Sequence, residues 1–479
     1  MLSNNTKFYN TKNFFIIIFI SFFLSNMLNY WYMKNYDRYE ISSDSNDNHY
    51  LIKGDSYTFW KTANILKEQF SQGKSYFETG TEYRVSYLPS RINLFFSNLF
   101  NFEIFDTKEN IKIGKRKFSI LYFQTFFYYL SLLFLYKNLK RFSSIKVSFL
   151  TCSFLAIEPS IFQYHSSFWS ESIFISLLIF CISLIFKENK NIYYWFCVGL
   201  VFGILYLQRS VTIYYFLIIF LWIFLLFKRK SLKKIIVFAL GIIIFFGFLG
   251  FHNYKRIGIG YVIATQVNTG FYNYLTPHIL AASKKIEIEK AEKIIESKLN
   301  KWKNDNGIYL NGKNWILTEE NILSKNELLR LKIYSYKKNF AKNLILSNPI
   351  ITAKYVIKKS FHFLIFNPTQ VFYEHSYEYK ARPEKVYYKN KDHYRWIPAR
   401  ISYSFLIYLV SLLGFIHMIL NGNPKELKIV IFLSFSILYF TAVSSWSGNP
   451  RYAVPTLIFY SIFFSNGVIF LINKFKSKS

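Results

Sequence analysis

Acidic residues are scarce in this chain of 479 residues: 27 Asp and Glu stand against 59 Lys and Arg, a formal charge of +32 at pH 7. Cysteine is scarcer still. Cys152, Cys181 and Cys197 each lie inside an apolar run, which excludes a disulfide framework and a zinc ribbon and leaves them as small buried hydrophobes. Charged residues of both signs amount to only 18%, too few to keep a chain of this composition in water. No internal repeat, low-complexity tract or sorting signal is evident. The excess of bases suggests nucleic acid at first. Those bases belong to short loops between apolar stretches, where they set topology, and to the long polar segments, so the excess says little about an anionic partner and no nucleic acid is expected.

What the chain has in abundance is apolar and aromatic surface: 52% hydrophobic residues, with 54 Phe and 39 Tyr. A soluble protein exposing this much would be one adhesive patch, so lipid must be the solvent for much of it. The mean hydropathy is only +0.16, which requires sizeable polar segments between the apolar ones. Runs of spanning length cover 14–33, 118–136, 168–186, 192–207, 211–227, 235–251, 401–420, 429–445 and 452–472, with a shorter run at 147–157 that extends to Pro159. The expected fold class is an all-α polytopic membrane protein of about ten transmembrane helices, with external amphipathic helices and a small external helical domain. The first run lacks a small-residue cleavage site and ends in Tyr30, Trp31 and Tyr32, an interfacial belt, so it is expected to be a retained helix.

Orientation follows from alternate loops. Lys137, Lys140, Arg141 and Lys146, then Lys187 and Lys190, Lys228 to Lys234, Lys425 and Lys428, and Lys474 to Lys478 fall on one side; the opposite short loops hold little beyond Arg209 and Arg451. The positive-inside rule then places both termini in the cytoplasm, with a bacterial inner membrane expected, and puts loops 34–117 and 253–400 outside. The expected division is a membrane module at 1–272 containing the first external loop 34–117, an external helical segment at 273–352, an interfacial helix and loop at 353–400, and C-terminal membrane helices at 401–479. Within the second loop, Ala291, Ile294, Ile295, Leu299 and Trp302 recur at helical spacing. A capping box Ser324 to Glu327 opens a helix whose stripe is Leu329, Ile333, Tyr336, Phe340 and Leu344. Residues 353–366 are apolar on one side and interrupted by Lys354, Lys358 and Lys359; they span or lie on the membrane, and parity favours lying on it.

Ions at the ends of membrane helices are costly, so they mark candidate chemistry. Asp55, in Gly54-Asp-Ser-Tyr57, opens a stripe of Tyr57, Trp60, Ala63 and Leu66 with interfacial character; it is either a helix N-cap or a general base or metal ligand at the membrane surface. Glu171 sits at the outer end of the fourth run, as an acid favoured by the helix dipole or as a group facing a wet cavity or a cation. His165 is placed to line the same cavity or to be a hydrogen-bonded bystander, and Glu158 beside Pro159 is similar. Arg209 and Arg451, the latter followed by Tyr452, carry positive charge on the side that otherwise avoids it. They match an anionic lipid or sugar phosphate bidentately, or snorkel to headgroups. Arg84 and Arg91, in the first loop, are weaker candidates.

The order of these elements resembles the GT-C superfamily of polytopic glycosyltransferases, especially protein mannosyltransferases and lipid A aminoarabinose transferases. The matching pieces are one span followed by Gly54-Asp-Ser-Tyr57, then Tyr83-Arg-Val-Ser-Tyr-Leu-Pro89, Glu158-Pro159, Ser170-Glu171, Gln208-Arg-Ser210, Asn348-Pro349 and Arg451-Tyr452. The resemblance implies a polyprenyl-phosphate sugar donor and transfer to an acceptor (lipid, glycan or protein) at the external face. Asp55 would then be the base, Glu171 would orient the acceptor or bind a cation, and Arg209 and Arg451 would hold the departing phosphate. Arg84, His165 and Tyr452 would line the substrate site. Many members carry paired acids where this chain has Asp55-Ser56, so a divalent cation is left open. Two rival readings remain. One is an O-antigen ligase or polymerase using His375, Arg382, His393, Arg395 and Arg400; the other is a lipid-linked sugar flippase, disfavoured by the absence of repeats.

Overall fold

The computed structural model describes residues 9–35, 55–79, 87–102, 115–166, 168, 170–260, 270–306, 324–366, 397–445 and 450–477. Among them there is no strand. The helices are α1 (Thr11–Asn35), α2 (Asp55–Ser71), α3 (Tyr87–Phe100), α4 (Ser119–Leu139), α5 (Ile145–Ile157), α6 (Pro159–His165), α7 (Glu171–Ile185), α8 (Ile192–Gln208), α9 (Tyr215–Phe227) and α10 (Ser231–Ile257). They continue as α11 (Thr276–Lys284), α12 (Ile288–Asp305), α13 (Ser324–Ser347), α14 (Pro349–Phe363), α15 (Ile397–Asn421), α16 (Pro424–Ser444) and α17 (Leu457–Lys476).

Every apolar run read from the sequence is helical. Six stretches among the described residues are long and apolar enough to cross a membrane, or seven if the bent pair α5–α6 counts as one span; α7 and α8 are shorter apolar helices. One of the six, Tyr215–Ile257, covers 43 residues, about 65 Å at ~1.5 Å per residue, twice the hydrocarbon thickness. It is broken at Lys228–Lys230, where Lys228 has φ +49°, so α9 and α10 fold back on each other. The count of about ten crossings is therefore not confirmed, although ten apolar runs form the helices. The helix α14, carrying Lys354, Lys358 and Lys359, is not among the six.

The short run before Pro159 does not continue straight. Proline has no N–H to donate back into α5 and forces the preceding residue out of the helical region, so Glu158 takes φ −64°, ψ 112°. Its carboxylate then caps α6 by accepting from the Ser160 N–H at 3.1 Å, and α6 leaves at 53° to α5. The other end of the bundle is closed by ordinary caps: Ser144 for α5, Asn191 for α8 and a full capping box between Asn423 and Glu426 for α16.

Within lipid the helices gain little from apolar burial against one another, so close packing and interhelical hydrogen bonds hold them. A Cβ on Gly414 would lie 1.9 Å from the Phe463 carbonyl oxygen, and one on Gly467 2.0 Å from that of Val410; only glycine lets α15 and α17 approach this closely. Asn138 donates to Ser183 (3.0 Å), Thr151 to Ser465 (3.1 Å), and Tyr215 shares a hydrogen bond with Ser436 (3.0 Å), tying α4 to α7, α5 to α17 and α9 to α16. The ring of Trp222 fills the space between Phe142, Phe186 and Phe432.

Two expectations need correction. Cys152 and Cys181 are buried, but Cys197 is exposed on the outward side of α8 and packs in no core. The α2 stripe of Trp60, Ala63 and Leu66 does not face an interface; it is buried in a core with Leu94, Phe118 and Phe168, because α3 and the start of α4 cover it. The second long loop forms its expected helices, with Ala291, Ile295 and Leu299 of α12 and Ile333 of α13 in one small core with Tyr272. Trp302 stacks on Tyr336 at 4.6 Å.

Candidate active site

Glu171 is the first residue of α7, where the helix dipole favours a carboxylate. Arg209 stands at the end of α8 and Arg451 in the 3-10 turn Pro450–Thr456 that leads into α17. Three segments separated by up to 280 residues thus bring their ends together. Arg209 Nη1 lies 3.0 Å from Glu171 Oε1, and Arg451 Nε bonds the same oxygen. The Glu171 side chain is 2% exposed, that of Arg209 16% and that of Arg451 12%. The guanidiniums also lie 5.4 and 5.6 Å from the Tyr452 ring, and that of Arg209 5.4 Å from Phe174. Aromatic faces suit such planar, weakly hydrated cations. Among the described residues the cluster joins two guanidiniums to one carboxylate in a largely buried place.

His165 closes α6 and joins this cluster through the neighbour of Glu171: its Nδ1 is 2.8 Å from Ser172 Oγ. Its ring packs on Tyr128 with centroids 4.3 Å apart. Gln208, next to Arg209, donates Nε2 to the Ser170 carbonyl at 3.1 Å. Glu158, 1% exposed, is held on the far side by the Ser160 N–H and by the Tyr403 hydroxyl of α15. The structure therefore gathers Glu171, Arg209, Arg451, Tyr452 and His165. It does not favour Glu171 as a cation ligand, since both guanidiniums already occupy Oε1 and their charge opposes a second cation there. Among the described residues no three His, Cys, Asp or Glu side chains converge as metal ligands.

Asp55 begins α2, as expected of a residue opening that helix, but its side chain lies outside the described residues. Arg84 lies outside them too, as do His375, Arg382, His393 and Arg395, while Arg400 falls in α15. Arg91 belongs elsewhere: its guanidinium lies 3.3 Å from the Tyr87 ring centroid, beside Tyr76 and His252. Burial pushes the Tyr87 hydroxyl above the ordinary tyrosine range despite that nearby charge. Two site residues, Ser172 and Tyr403, were not singled out from the sequence, and Gln208 was read there only as part of Gln208-Arg-Ser210, with no role of its own. Ser172 and Tyr403 carried no signal, since hydroxyls are common in such helices.

Residues 110–252 match the family model described as dolichyl-phosphate-mannose-protein mannosyltransferase. Among solved structures, the oligosaccharyltransferase of Archaeoglobus fulgidus tethered to an acceptor peptide with the NVT sequon matches at a TM-score of 0.50 and 12% identity, over 98% of this chain and 50% of that one. The apo form of the same enzyme matches at a TM-score of 0.50 and 10% identity, over 97% and 51%. The fold is the one shared with these solved structures, and the fold and the matched segment agree with the GT-C resemblance read from the motif order. The matched family segment runs from before α4 to near the end of α10 and contains Glu158, His165, Glu171 and Arg209. The chain spans about half the length of the solved structures it matches. No curated protein matches it by sequence.

Proposed function

We propose that this chain is a membrane glycosyltransferase that moves a sugar from a polyprenyl-phosphate donor to an acceptor hydroxyl or amide at the external face of a bacterial inner membrane. The observation that carries the reading is the convergence of Arg209 and Arg451 on Glu171, largely buried cations from the short loops that otherwise carry little positive charge. The family description for residues 110–252 supports a lipid-phosphate donor, and the solved neighbour tethered to an acceptor peptide supports a peptide as one acceptor class.

The chemistry follows from charge. As the acceptor nucleophile bonds to the anomeric carbon, the bond from that carbon to the phosphate oxygen breaks and its electron pair leaves on the lipid phosphate. Two guanidiniums fixed beforehand by Glu171 meet that growing charge without reorganising, which is where preorganised donors contribute most. Glu171 thus positions the arginines rather than the acceptor. Asp55, at the start of α2, takes the proton of the acceptor as general base. The polyprenyl tail runs in the surrounding lipid.

The test is release of polyprenyl phosphate in purified membranes supplied with a polyprenyl-phosphate sugar and a peptide or glycan acceptor. Acceptor-dependent release, lost in Arg209→Ala, supports the reading. Movement of the donor between leaflets with no release identifies a flippase instead.

A further inference from the structure

We infer that His165, with Gln208 and the free oxygen of Glu171, forms a subsite for the hydroxyl groups of the donor sugar, so that His165 helps determine which sugar is accepted. The inference rests on the glycosyltransferase reading above and deepens it.

The argument starts from polar atoms that the fold buries without partners among the described residues. His165 is 1% exposed, and its Nε2 has none. Gln208 is 0% exposed, and its Oε1 has none; Glu171 is 1% exposed, and its Oε2 has none. Buried polar groups are nearly always paired, and each one left alone is expensive, so three around the first turn of one helix call for a ligand or ordered water. The residues that carry these atoms meet at the start of α7. His165 bonds Ser172, Gln208 bonds the Ser170 carbonyl, and Glu171 lies between those two residues.

The hydrogen-bond types follow from the neighbours. The Gln208 amide must direct its NH2 to the Ser170 carbonyl, since two oxygens would repel, and this leaves Oε1 as an acceptor. The Ser172 hydroxyl reaches only His165 Nδ1; by donating to it, the hydroxyl satisfies its own proton, and the imidazole then carries its N–H on Nε2. The subsite therefore offers one neutral donor, one neutral acceptor and one charged acceptor. A phosphate would match the donor and be repelled by the carboxylate. A lipid tail would match none. Sugar hydroxyls, each donating and accepting, match all three, and the Tyr128 ring packed on His165 fixes the imidazole in place.

The experiment uses the full-length protein in membranes, with polyprenyl-phosphate mannose, its C2 epimer polyprenyl-phosphate glucose, and their deoxy analogues as donors, read as release of polyprenyl phosphate. Wild type should prefer one epimer, and His165→Ala should raise KM for that donor about tenfold or more while reducing kcat less and levelling the preference. His165→Gln, whose amide NH2 reaches the Nε2 position, should restore much of the preference. This rescue separates recognition from a merely structural loss. If wild type is active and His165→Ala keeps the same KM and the same preference, water fills the site and the subsite is overturned while the transferase reading stands. If wild type releases polyprenyl phosphate from none of the donors, the transferase reading falls and the subsite falls with it.

Discussion

The two ends of the helix bundle handle positive charge in opposite ways. At one end, Lys137, Lys190, Lys228, Arg229, Lys230 and Lys425 project from short turns into the surroundings, and the described ion pair there, Lys425 with Glu188, is loose at 3.7 Å with side chains 56% and 32% exposed. Others rest over rings, as Lys140 over Tyr136 and Lys187 over Tyr194. At the other end, Arg209 and Arg451 are drawn in from separate segments, stacked against aromatic rings and locked on one carboxylate. Exposed cations are free to change at little cost, whereas the buried pair is held by partners and, in the proposed function, meets the charge of the departing phosphate.

The strongest way to break this comparison is to remove its centre. Glu171→Ala removes the carboxylate that two largely buried guanidiniums share and should destabilise the protein by about 3–5 kcal/mol, read as a lowered unfolding midpoint in detergent. An unchanged midpoint would mean that the two ends do not differ in kind. Next, Arg209→Ala and Arg451→Ala should each lower phosphate release by about 10²–10³. Lysine at either position should recover only part of this, because it lacks the planar fork that meets carboxylate and phosphate together. Full activity of Arg451→Lys would show that charge alone suffices.

A smaller effect tests the polar joint beside the site. Tyr403→Phe takes away a donor from buried Glu158 and should cost about 1–3 kcal/mol of stability. Matching stability in this variant would show that the Ser160 cap alone satisfies the carboxylate. The smallest effect belongs to the other end: Lys425→Ala should shift stability by less than about 1 kcal/mol and leave release unchanged, since exposed pairs contribute little. A loss of activity there would give the lysine loops a role beyond orientation.

The helices were largely legible in the sequence because lipid imposes a simple demand, that every backbone polar group be satisfied within an apolar segment. Gly54-Asp-Ser-Tyr57 and Ser324 to Glu327 announced helix starts that the structure places at Asp55 and Ser324. The break at Pro159 was less legible. A proline after eleven apolar residues reads equally as a span's end or as a bend, and the choice depends on what Glu158 finds to bond. The α2 stripe was legible as a stripe but not in its destination, because amphipathic spacing is the same against lipid and against α3. Cys197 was misplaced for the same reason: in a membrane, apolar position along the chain does not distinguish core from lipid-facing surface.

The sequence alone determined that this is a helical membrane protein, which short loops carry cations, and that Glu171, Arg209 and Arg451 are out of place as ordinary surface ions. Hydrophobic length and charge bias are local properties, readable one segment at a time. Only the tertiary structure decided that both arginines bond one oxygen of Glu171, that Glu171 therefore steadies them, and that His165 and Gln208 each bury an unpaired atom. Those are relations between helix ends that lie up to 280 residues apart, and no local pattern encodes which ends will meet.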